Sequence, residues 1–157
     1  MKPQIQKHYR QGDVLLRYVD SLPSKLKPVL RQRGRLVLAT GTSGHDHYIE
    51  DPGSEMFTAE DGGHWLKIDG KSMKGSWPIT EHTELHVLVR HPKLGVIAFA
   101  ERDIAVKGKT ATVDGHFALL IHDSKPVEHS PQALPRGTAE LMEQSEFNRE
   151  EIRRVTD

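Results

Sequence analysis

The residues of this chain best suited to chemistry are two histidines one residue apart, His45 and His47, in the stretch TSGHDHYIEDPG (42–53). On a strand, alternate residues share a face. His45, His47 and Ile49 would then point one way, and Asp46, Tyr48 and Glu50 the other. If Ile49 marks the core side, both imidazoles turn inward. A buried imidazole needs partners for its ring nitrogens, because an unpaired buried polar group costs about 1–3 kcal/mol. A divalent metal ion is one partner that serves two rings at once, and imidazole suits zinc, iron, copper and nickel. Two other readings stand beside this one: an exposed edge strand, where histidine is unremarkable, and a metal-free catalytic or substrate-binding role.

A metal needs a third ligand. His129, in PVEHSPQALPRG (126–137), has no obvious packing role in that turn-rich segment and is the expected ligand. His122, at the end of the apolar run LLIHD, is the reserve. Chemistry at such an ion would need groups that move protons, and Glu50, Asp51 and Glu128 are the candidates. The other histidines read differently. His116 and His122 are six residues apart, roughly 20 Å along a strand, so they cannot bind the same ion. His64, His82 and His91 sit in polar or turn contexts and read as surface residues. His86 reads as a hydrogen-bonded core histidine.

The elements that must hold these residues are strands. DVLLRYVD (13–20), RLVLAT (35–40), HDHYIE (45–50), HWLKID (64–69), LHVLVR (85–90) and HFALLIHD (116–123) are short apolar or alternating runs separated by glycine-rich turns. GVIAFAERDIAVK (95–107) is one bent strand or two. TATVDG follows the turn-like Lys107-Gly108-Lys109, and TAELMEQS (138–145) follows Pro135-Arg136-Gly137. Strands at this spacing predict an all-β fold, a single-domain barrel or a double-sheet sandwich spanning 1–157. SLPSKLKPVLRQRG (21–34) reads as an exposed connection or a short helix. The best helix candidate lies near the C-terminus, about 148–156, with Asn148 as cap, acidic residues in its first turn and arginines in its last.

Composition narrows the function classes. Lys plus Arg equals Asp plus Glu, 22 each, so there is no net field to draw the chain to nucleic acid or to an anionic membrane. The basic residues Lys25, Lys27, Arg31, Arg33 and Arg35 do cluster, and a nucleic-acid-associated role for segment 25–35 is the weaker alternative. There is no cysteine, which excludes disulfides, thiolate ligands and a cysteine nucleophile. The opening MKPQIQKHYRQGD lacks the apolar stretch of a signal peptide, and no apolar run is long enough to span a bilayer. A cytoplasmic location is expected. No phosphate-cradling glycine loop, G-x-S-x-G elbow or H-E-x-x-H helix is present.

Taken together, SGHDHYIE, the later Glu128-His129-Ser130-Pro131 and Leu134-Pro135-Arg136-Gly137, and the closing REEIRRVTD resemble small bacterial and phage proteins. Those proteins carry a G-H-x-H segment followed downstream by EH-x-P and LP-x-G. The QGDVLLRYVDSLP opening fits the same group, and the resemblance would span most of the chain. It implies no established chemistry, but it singles out His45, His47 and His129. A partial similarity to cupins rests on H-x-H with a distant third histidine. It departs from the cupin pattern where Asp51 stands in place of a glutamate and Ala39 in place of a glycine. The expectation is a metal-binding β-domain, possible as a small enzyme with a small-molecule ligand. The alternative is a non-catalytic accessory or interaction module of bacterial or phage origin.

Overall fold

The computed structural model describes residues 7–40, 45–123 and 130–143. Over these the chain is all-β, as the turn spacing predicts. Two sheets form. The first contains, in spatial order, β1 (His8–Gln11), β2 (Val14–Val19), β14 (Gly137–Glu143), β7 (His64–Ile68), β6 (Glu55–Thr58) and β3 (Lys27–Pro28). The second contains β4 (Leu36–Thr40), β5 (Asp46–Ile49), β8 (Lys71–His82), β9 (Val87–His91), β10 (Gly95–Phe99), β11 (Ala105–Lys107), β12 (Thr110–His122) and β13 (Gln132–Pro135).

Part of the second sheet closes on itself. β12 pairs with β8, β8 with β9, β9 with β10, β10 in parallel with β13, and β13 back with β12. The result is a small five-strand barrel. Its interior holds Val87, Val89, Ile97, Phe99, Ala111, Val113, Phe117 and Ala133. A second core lies between the first sheet and the β4–β5–β12 side of the second. It contains Tyr9, Val14, Leu16, Leu36, Leu38, Ile49, Leu66, Ile68, Leu120 and Leu141.

Side-chain alternation explains how one strand serves both cores. On β12, Ala111, Val113 and Phe117 face the barrel, while Ala118 and Leu120 face the sandwich. β13 divides likewise, with Ala133 inside the barrel and Leu134 in the sandwich. The chain crosses from the first sheet to the second at Gly70. There φ is 78°, and a Cβ would lie 2.7 Å from the backbone of Phe117, so only glycine fits.

Several expectations gain detail. Segment 21–34 is an extended connection carrying the two-residue β3, not a helix. Lys25 and Arg33 in it have positive φ, 60° and 55°. Residues 95–107 form two strands broken by a 3-10 turn, Glu101–Asp103. TATVDG and HFALLIHD join into the single strand β12, because Gly115 continues the ladder opposite Met73. β8 was not expected as a strand at all. The C-terminal helix expected at 148–156 lies outside the described residues. Among the described residues no helix is long and apolar enough to cross a membrane.

Because β12 and β13 line both cores, the sandwich and the barrel are expected to unfold together. Leu16→Ala, in the sandwich, and Ile97→Ala, in the barrel, should each cost about 2–5 kcal/mol. Both should shift one common transition. Coincident denaturation curves from tryptophan fluorescence, which reports on Trp65 in the first sheet and Trp77 in the second, and from far-ultraviolet circular dichroism, for both variants, check this; a separate second transition would contradict it.

Candidate histidine site

β5 forms because HDHYI alternates and is bounded by the Asp51-Pro52-Gly53 turn. Its inward face carries His47 and Ile49, as the alternation predicts. His47 is 3% exposed and Ile49 is fully buried. β5 pairs antiparallel with β12 so that His47 stands directly opposite His122. His122 continues the inward face of Ala118 and Leu120. The two rings stack, with centroids 4.1 Å apart and planes 7° from parallel. His45 meets His122 edge-on, at 6.3 Å and 87°. Three imidazoles therefore gather at one end of the sandwich core.

The residue that orders this cluster is Gln11. It ends β1, and alternation with Tyr9 turns its side chain inward, where it is 4% exposed. Its Nε2 donates to the backbone carbonyls of Leu120, at 2.9 Å, and Ser130, at 3.3 Å. Its Oε1 lies 2.9 Å from Nδ1 of His47. Since the Gln11 amide nitrogen is committed as a donor, Oε1 must accept, so Nδ1 of His47 carries the proton. The neutral ring then has its lone pair on Nε2.

Ring orientation constrains what the cluster can bind. A metal ion lies in the plane of each imidazole that ligates it. The planes of His47 and His122 are nearly parallel and offset, so in this arrangement the two rings do not share one ion. The planes of His45 and His47 are close to perpendicular, as follows from their angles to His122, and such planes do intersect. Among the described residues no group of three or more His, Asp or Glu side chains has the geometry of a metal site. His129 and Glu128 lie outside the described residues. Ser130, the next residue after His129, is held by the same Gln11 amide that holds His47.

Of the carboxylates expected to move protons, Glu50 and Asp51 are engaged elsewhere. Glu50 points to the opposite face and pairs with Arg35 Nε at 3.4 Å. Asp51 locks the turn after β5: its Oδ2 accepts from the Ser54 hydroxyl at 2.5 Å and from the Gly70 N–H at 2.8 Å. Arg31 reinforces that turn by donating to the carbonyls of Asp51 and Ser54. Arg35 stacks over the Tyr48 ring at 4.0 Å. Two of the five clustered basic side chains of segment 25–35 are thus committed within the fold.

Other histidines have local work. His91 Nδ1 accepts from the backbone N–H groups of Lys93 and Leu94 and lies against Trp77. His82 faces Glu101 at 3.3 Å. His86 is half-buried; burial lowers its pKa below the ordinary histidine value, and a hydrogen bond to the Gln132 side chain partly opposes this. Gln11 was missed in the sequence. The signal for it was the alternation of Tyr9 and Gln11 before the tight Gly12-Asp13 turn, which puts an amide on a core-facing position.

A family model described as a domain of unknown function (DUF8820) matches residues 10–74, a span that includes Gln11, His45 and His47. No curated protein and no solved structure matches the chain.

Gln11→Leu keeps the volume but removes the acceptor for His47 Nδ1–H and the donor to Ser130. It should destabilise the fold by about 1–3 kcal/mol or more, read from denaturant midpoints. His86 gives a pH dependence. Its folded pKa lies below that of the unfolded chain, so the unfolded state takes up the proton first as pH falls. This contribution to stability is complete above about 6.5, the ordinary histidine value, and is lost as pH drops below it. His86→Gln, which does not titrate, should lose less stability than the parent between neutral and acidic pH.

Proposed function

We propose that this protein is a divalent-metal-binding β-domain in which His45, His47 and His129 supply the imidazole ligands. The observation that carries the reading is the Gln11–His47 hydrogen bond, 2.9 Å long. A histidine that ligates a metal generally donates its other ring N–H to an oxygen acceptor, which fixes the tautomer and aims the ring. Gln11 does this for His47, in a buried setting and with its own amide orientation set by two backbone carbonyls. The near-perpendicular planes of His45 and His47 support the same reading, since two such rings can address one point.

His122 then acts as a wall. Stacked on His47, it blocks one face of the ring and restricts its rotation. His129 enters on the resemblance stated above and on chain connectivity: it adjoins Ser130, which Gln11 ties to the cluster. Three imidazoles on a divalent ion would leave positions open for water or a small ligand. If the protein is an enzyme, the ion would serve as a Lewis acid or activate bound water. A cytoplasmic location is part of the proposal and is supported by a sequence without cysteine.

Elemental analysis of protein prepared without a histidine tag tests the reading directly. Stoichiometric metal is expected in the parent, with none in His47→Ala. Gln11→Ala should weaken metal affinity by about 10–100-fold, whereas His82→Ala should leave it unchanged. Metal content in His47→Ala equal to the parent's would refute the proposal.

A further inference from the structure

A second site lies on the other side of Gln11. Between the β1–β2 turn and the outer wall of the barrel runs an open cavity of about 360 Å³. That is within the size range of small-molecule sites, about 300–1,000 Å³. Its apolar floor and rim come from Leu88 and Ala98, on the outward faces of β9 and β10, and from Leu85 in the loop before β9. Leu85 is 77% exposed, an aliphatic side chain left in water beside a concave surface.

The polar groups there are mainly donors. Gln132 is 2% exposed and lines the cavity. Its side chain hydrogen-bonds His86, and since its amide nitrogen is placed as a donor toward Ala133, its oxygen is the group left to accept from the ring. Its amide nitrogen has two N–H groups, and among the described residues these make only a long contact, 3.3 Å, to the adjacent carbonyl of Ala133. Arg10 stands at the rim. Its Nε–H reaches the Gly12 carbonyl at 3.3 Å, and its terminal amino groups make no hydrogen bond among the described residues. Burial disfavours the charged form of His86, so Arg10 is the fixed cation of the cavity.

We propose that this cavity binds a small monocarboxylate with a compact apolar body. The carboxylate would be held by the Arg10 guanidinium and the Gln132 amide N–H, and the body by Leu85, Leu88 and Ala98. Donors without a matching acceptor select an acceptor-only group, and a guanidinium matches a carboxylate's two oxygens. The apolar floor selects against small hydrophilic anions. The site does not depend on metal at the histidine cluster.

The test is a titration of the full chain with 4-methylpentanoate, followed by amide chemical shifts and thermal stability. Formate and the neutral isostere 4-methylpentanamide are the comparisons. Saturable binding of 4-methylpentanoate is expected, at least about tenfold tighter than either comparison, as loss of one charge-assisted contact implies. Arg10→Gln, an exposed change that should leave the fold intact, should weaken it by a similar factor, and Lys74→Gln should not. Binding that survives Arg10→Gln would place the carboxylate elsewhere, a metal at the histidines included. Equal affinity for the amide, or no saturable binding of the acid, would equally overturn the proposal.

Discussion

One strand with two buried faces governs this structure. β12 has barrel residues at its odd positions and sandwich residues at its even ones, so the period-2 geometry of a strand joins two cores that would otherwise be independent. A register slip of one residue would exchange the two sets and ruin both cores at once. The same even-numbered face ends in His122, and the pairing with β5 sets His47 opposite it. The position of the histidine cluster is therefore a product of the register that fixes the core.

Within that frame, Gln11 converts a packing end into a polar site. A core that ended in histidines alone would leave ring nitrogens and strand-end carbonyls to be satisfied separately. One primary amide, with two donors and one acceptor oxygen, engages Leu120, Ser130 and His47 together. Gln11 also lines the cavity on its other side. It thus forms the partition between the histidine cluster and the carboxylate site proposed here, belonging to both without being a ligand in either.

Much of the fold was legible in the sequence. The strands around His47, Leu66, Val89 and Ile97 are short apolar or alternating runs set off by glycine or proline turns, and the inward direction of His47 followed from Ile49 alone. β8 escaped because its alternation, Met73, Gly75, Trp77, Ile79, is diluted by lysine and serine outside and interrupted by Pro78. Gly75 looks like a breaker, yet it lies against the Trp77 ring, where an added Cβ would come within 2.5 Å. In the candidate site, His45 and His47 stood out by their spacing. His122 stayed in reserve because nothing local says that β12 returns beside β5. Gln11 could not be weighed without knowing which strand faced it. Glu50 and Asp51 looked available only because sequence does not reveal that Arg35, Ser54 and Gly70 engage them.

The order of strands along the chain has a consequence for biosynthesis. β14, near the end of the described chain, sits in the middle of the first sheet between β2 and β7, and β13 supplies the parallel seam that closes the barrel. A nascent polypeptide leaving the ribosome would hold most of its apolar surface well before either segment emerged. Neither sheet can be completed until β13 and β14 have emerged, and until then β2, β7, β10 and β12 have open edges. Open strand edges of this kind are templates for wrong pairing, so the late strands β13 and β14 protect the earlier ones from it.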